Sequence, residues 1–157
     1  MSQTDGVSTD TRRGSALRGY AHVYAPMAIV ALSVIFVPLF DSVQEDGYTR
    51  TFSSEWEMAG ESGGGISVLA IMLMVALVVL LLMATFRPPG TLGVPVGISA
   101  IALVEVVMLL AQPGTGSPKP DLSSAGHIVV TLGLGLCILG IVHAIHIRAA
   151  SQRIRYS

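Results

Sequence analysis

Four long apolar stretches punctuate this chain: Ala21 to Phe40, Ile66 to Phe86, Val94 to Gln112 and Gly126 to Ile147. At 1.5 Å of rise per residue, about 20 helical residues reach about 30 Å, the thickness of a bilayer's hydrocarbon core. Only a membrane or a very large protein core hides four such runs, and 157 residues do not build a core of that size. Charge supports the membrane: 12% of the residues are charged, against roughly 25% in soluble domains. The sequence therefore predicts an all-α integral membrane protein, a four-helix bundle in one domain over residues 1–157. Its transmembrane helices are expected at about 21–40, 66–86, 94–112 and 126–147.

The joints between the runs are polar. Met1 to Gly19, with Arg12, Arg13 and Arg18, reads as a mobile tail. The first run is too long for a signal-peptide core, and no A-x-A site follows Phe40, so it reads as a retained helix. The 41–65 joint carries six acidic residues and one basic one. Within it, Ser54 and Glu57 have capping-box spacing, which leaves two readings: a short surface helix anchored by Trp56, or an unstructured loop. Arg87-Pro88-Pro89-Gly90 stops the second run, because proline donates no amide proton. The short joint makes the second and third helices an antiparallel hairpin. Residues 113–125 form the other long loop, and the arginine-bearing tail after Ile147 extends the fourth helix or ends it. Pro26 and Pro38 are expected near the two ends of the first helix.

Arginine distribution gives an orientation. With both termini cytoplasmic, the inner segments hold Arg12, Arg13, Arg18, Arg87, Arg148, Arg153 and Arg155, and the outer ones only Arg50 and Lys119. That bias is the positive-inside pattern. Loops 41–65 and 113–125 are then extracytoplasmic, in a protein of the cell (inner) membrane. Tyr20 and Tyr24 are expected at the inner interface and Trp56 near the outer one.

Packing in lipid relies on close approach of helices. Gly133, Cys137, Gly140 and Ala144 fall at steps of four, three and four, a small-residue strip on one helical face. The other reading is that glycine is simply common in such helices. Cys137 is the only cysteine, so the chain has no intramolecular disulfide.

Glu105 is the one acid inside a run, with Gln112 two turns further along the same face. An ionisable group at membrane depth normally faces protein or water. It reads as a proton or cation relay, as an interhelical clamp, or as a neutral acid bonded to a neighbour. The histidines raise a haem b reading, with His22 and either His143 or His146 as axial ligands at similar depth. Against it stands the ordinary interfacial histidine. The chain has no P-loop, no nucleophile elbow and no zinc-protease motif, so no catalytic, cofactor or metal site is expected and the protein reads as a non-enzyme. A net charge of −1 gives no support to nucleic-acid binding.

Four short helices, the Arg87–Gly90 turn and a lysine-poor, Ala/Gly/Val-rich composition look like a small actinobacterial membrane protein. The chain resembles the four-helix accessory subunits of the cytochrome bcc–aa3 respiratory supercomplex. The resemblance is architectural, covers Ala21 to Ile147 and transfers no functional residue. It implies a non-enzymatic accessory subunit that stabilises a respiratory oxidase assembly, with membrane lipid and other integral subunits as partners. The 41–65 loop is then expected to dock an extracytoplasmic partner. Two alternatives remain: a small proton-coupled carrier using Glu105, and the haem-bearing electron carrier.

Overall fold

The computed structural model describes residues 5–45, 47–60, 65–86, 91–113, 115 and 119–155. It is predominantly helical: α1 (Asp5–Val34), α2 (Glu55–Ala59), α3 (Gly65–Phe86), α4 (Gly93–Ala111) and α5 (Ser124–Arg155). A two-stranded antiparallel hairpin, β1 (Val43–Glu45) and β2 (Tyr48–Arg50), precedes α2, with Gly47 at positive φ in its turn. Helix α1 packs on α3, α3 on α4, and α4 on α5, while a lighter α1–α5 contact closes the ring. The α4–α5 and α1–α3 seams are more extensive than the α3–α4 seam, so the expected hairpin pair is not the tightest one. The Arg87–Gly90 turn lies outside the described residues.

Three helices are long and apolar enough to cross a membrane: Gly65–Phe86, Gly93–Ala111 and Ser124–Gln152. Only 22%, 33% and 28% of their most apolar windows is buried inside the protein. On α3, Met74, Leu77, Leu81 and Ala84 face inward, while Met72, Val75, Val79, Leu82 and Phe86 are exposed. A helix apolar on every face is stable where its outer side also meets an apolar medium.

The first run departs from expectation at both ends. Helix begins at Asp5, inside the segment read as a mobile tail, so Pro26 stands in the middle of a 30-residue helix. Once a helix is nucleated, extending it is far cheaper than starting another. At the other end helix stops at Val34, leaving a 16-residue apolar helix, Gly19–Val34. Ser33 Oγ donates back to the Ile29 carbonyl at 2.8 Å. Pro38 then steers Val37 away from helical backbone angles and offers no amide proton itself. The chain turns through 35–37 and is extended only from Pro38, burying Ile35, Leu39 and Phe40.

This extended piece is clasped to the start of α5. Asp41 N donates to the Asp121 carbonyl at 2.9 Å and Ser123 N to that of Leu39 at 3.0 Å, with Phe40 bridging Leu122. The Ser123 hydroxyl donates to the Pro38 carbonyl at 2.8 Å and accepts from Gly126 N at 3.2 Å, capping α5. Gly126 sits against the Leu39 carbonyl oxygen, where any Cβ would collide.

Candidate functional site

Local chemistry sets the first wall of the site. Ser54 caps α2 by accepting from Glu57 N at 3.3 Å, and the Glu57 carboxylate accepts from Ser54 N at 3.1 Å. This capping box holds Glu57 at the helix start. Glu55, two residues earlier and so about 200° around the helix, faces the bundle instead and lines a cavity of about 340 Å³. Trp56 stays exposed, its ring 5.9 Å from Phe36 and its amide bonded to the Ile35 carbonyl.

The cavity lies where α2, the non-helical 35–40 piece and the ends of α3 and α4 meet. Its walls are apolar: Ile35, Leu39 and Phe40, then Phe52 and Met58, then Ile71, Met74 and Leu109. Glu105 enters this lining from α4. It is 8% exposed, and its Oε1 is buried with no hydrogen-bond partner. A carboxylate charge in such a place is costly unless a proton or a cation accompanies it. Burial pushes the Glu55 carboxyl above its ordinary value, opposed by a hydrogen bond from Ser67.

Gln112 lines the same cavity but is engaged elsewhere. It ends α4 in the left-handed region, φ 51° and ψ 51°, with its amide N–H bonded to the Met108 carbonyl. Its Nε2 donates to the Pro120 carbonyl at 2.8 Å, and its own carbonyl accepts from the Thr115 hydroxyl at 2.9 Å. Glu105 and Gln112 thus share a cavity without Gln112 answering the acid.

At the far end of the bundle the structure places the histidines differently from the haem reading. His143 is 1% exposed and its Nδ1 is hydrogen-bonded to the Tyr24 hydroxyl at 3.0 Å. Tyr20 stacks flat on the same imidazole, centroids 4.0 Å apart and planes 5° from parallel. Tyr20 and Tyr24, one turn apart, therefore face His143. His22, two residues from each, points the other way and is exposed, as is His146. His22 and His143 are not brought together as a ligand pair. Tyr24 is wholly buried, with its hydroxyl answered by His143. His143 Nε2 is buried with no partner. Among the described residues there is no group of three or more His, Cys, Asp or Glu able to hold a metal ion.

The small-residue strip of α5 lies against α4. A Cβ at Gly133 would meet the Val106 side chain, and one at Gly140 would meet Ser99 Oγ and the Pro95 carbonyl oxygen. Between them Ser99 Oγ donates to the Cys137 carbonyl at 3.1 Å, and Cys137 Sγ to the Ser99 carbonyl at 3.4 Å. Ala144 is half-buried beside them, while Gly135, off the strip, has open space around it.

Sequence reasoning found Glu105 but missed Glu55 and Ser67 as its companions. The usable signal was the capping box: it assigns Glu57 to the cap and turns Glu55 inward. Taken together, the chain has the helices of a membrane protein, with a polar-tipped apolar cavity at the end that carries α2. No family model, curated protein or solved structure matches it.

Proposed function

We propose that this chain is a multi-pass protein of the cell (inner) membrane that works by exchanging a proton or cation at Glu105, not by catalysis. The observation that carries this reading is the Glu105 carboxyl, buried with an unpartnered oxygen in a cavity that also holds Glu55. The other titratable or polar groups facing it are few: Glu55 from α2, Ser67 from α3, Gln112 and Thr115 after α4. From α1 and α5 the cavity receives apolar side chains, Val34 and Val129 among them. The role is that of a small proton-coupled carrier.

In this reading four segments cross the bilayer and both ends are cytoplasmic, which puts the cavity on the extracytoplasmic side. The seven-to-two arginine and lysine asymmetry supports that orientation. The 16 apolar helical residues of α1 reach about 24 Å, short of the full core. The non-helical 35–40 piece completes the crossing, its backbone groups answered in part by residues 121–123. Non-helical backbone at membrane depth is tolerated where protein covers it in this way.

Dicyclohexylcarbodiimide, which adds to protonated carboxyls in apolar surroundings, tests the reading in native membranes. Peptide mass spectrometry should find the adduct on Glu105, and none on that peptide in Glu105→Gln. Absence of the adduct in the wild type overturns the proposal. A C-terminal reporter should be active only as a cytoplasmic fusion.

A second reading, the accessory subunit of a respiratory complex, draws on the outer ridge of α5. Leu134, Ile138, Ile141 and Ile145 are exposed at steps of four, three and four. Such a ridge suits a neighbouring helix as well as lipid. Under this reading the protein co-purifies in mild detergent with the haem and copper of an oxidase. Purification without either counts against it.

A further inference from the structure

We propose that the cavity beneath α2 binds a small organic cation, a tertiary or quaternary ammonium with an apolar body, with Glu105 as its inner counter-ion and Glu55 as its outer one. This rests on the reading of Glu105 as the working acid and adds the class of its occupant.

Three features narrow that class. The first is sign: the lining holds two carboxyl groups and no Lys, Arg or His among the described residues. The second is the buried, unpartnered Oε1 of Glu105. A neutral apolar ligand would fill the space and leave that oxygen unanswered, at the cost of a stranded polar group. The third is the wall. Calcium needs six or more oxygen ligands and magnesium a near-ideal octahedron. Here the lining offers two carboxyl groups and a few amide and hydroxyl oxygens from Ser67, Gln112 and Thr115, and most of the remaining surface is Ile, Leu, Met and Phe. An ammonium carried on an apolar body suits both halves of such a surface. Met58, Met74 and Met108 are adaptable side chains able to fit bodies of different shape. Phe40, its ring 5.9 Å from that of Phe52, offers aromatic surface of the kind that attracts alkylammonium groups, while the Arg50 guanidinium already lies over the Phe52 ring, 5.2 Å from its centroid. At about 340 Å³ the cavity is near the lower end for small-molecule sites, which favours a compact cation.

Charge balance follows directly. The incoming cation replaces a proton held by the acid pair, and that proton leaves to solvent. Binding therefore releases protons, and acid competes with the ligand.

The test uses the full-length protein in detergent with benzyltrimethylammonium, which carries a permanent charge. Trp56 is the only tryptophan and adjoins Glu55, so its fluorescence is the probe. Titration should give a saturable change accompanied by proton release into weak buffer. Glu105→Gln should weaken binding by about 30-fold or more, the low end for removing one partner of a buried charge pair. Glu55→Gln should weaken it less. The uncharged carbon isostere neopentylbenzene should not compete; equal competition overturns the proposal, as does unchanged affinity in Glu105→Gln. Protection of wild-type Glu105 from carbodiimide gives a readout independent of any variant's folding. Labelling of Glu105 that the cation does not prevent defeats the cation proposal alone. Absence of labelling defeats the Glu105 reading as well.

Discussion

The two ends of this bundle each bury a titratable side chain, and each surrounds it differently. At the Tyr24 end, His143 has a hydroxyl on Nδ1 and an aromatic ring flat against its face, while its Nε2 is buried without a partner. Close by, the α4–α5 seam is drawn tight by Gly140, Ser99 and Cys137. At the α2 end, Glu105 has an oxygen without a partner and a cavity in front of it. Stability favours the first arrangement, because filled space and a stacked, hydrogen-bonded ring hold helices together. The second adds what a binding site requires: room beside the unpartnered polar group. On the proposed reading, the first end is structural and the second one binds.

Substitutions can break this contrast in order of expected size. Gly140→Leu should have the largest effect, since even a Cβ there meets the Pro95 carbonyl at 2.6 Å. Overpacking of this kind costs about 1–3 kcal/mol, occasionally more, and backbone contact puts Gly140→Leu at the top of that range. Gly135→Leu, with open space around the glycine, is the matched control and should change the unfolding temperature little. Equal loss in both variants would remove the tight seam from the account.

Tyr24→Phe comes next. It leaves both His143 nitrogens without a partner, at a cost of about 1–3 kcal/mol, read as a lower unfolding temperature in detergent. Ligand binding at the α2 end should be untouched, and a parallel loss of affinity would mean the ends are not separable.

The smallest effect is a pH slope. Burial holds the Glu55 carboxyl above its ordinary value of 4.5, with the Ser67 hydrogen bond acting against it. An acid raised in this way favours the folded state in its protonated form. Its contribution is complete below 4.5 and fades as pH rises through the raised value. Wild-type unfolding temperature should therefore fall across that window, and Glu55→Gln should flatten the slope. A slope unchanged in Glu55→Gln would place the titrating group elsewhere.

Much of the fold was legible because a helix in lipid is written as an uninterrupted apolar run. The expected 66–86 and 94–112 spans differ from Gly65–Phe86 and Gly93–Ala111 by no more than one residue at either end. The capping box was legible because it is local, two residues reaching each other across one turn. The end of the first helix was not, since Ile35, Leu39 and Phe40 are as apolar outside a helix as within one. The Tyr24–His143 bond joins residues 119 apart, a pairing no local pattern encodes. The candidate site was half visible. A lone acid in an apolar run announces itself, whereas Glu55 sits in a polar loop and becomes notable only once α2 folds over the cavity.

Thermal unfolding of Glu105→Leu, measured beside Tyr24→Phe in the same detergent, bears most directly on the division between the two ends. Replacing an unpartnered buried carboxyl with a side chain of similar volume should leave the protein as stable as the wild type or more so, while Tyr24→Phe unfolds at a lower temperature. A fall in Glu105→Leu as large as that in Tyr24→Phe would show that Glu105 holds the helices together and would contradict its assignment as a binding acid.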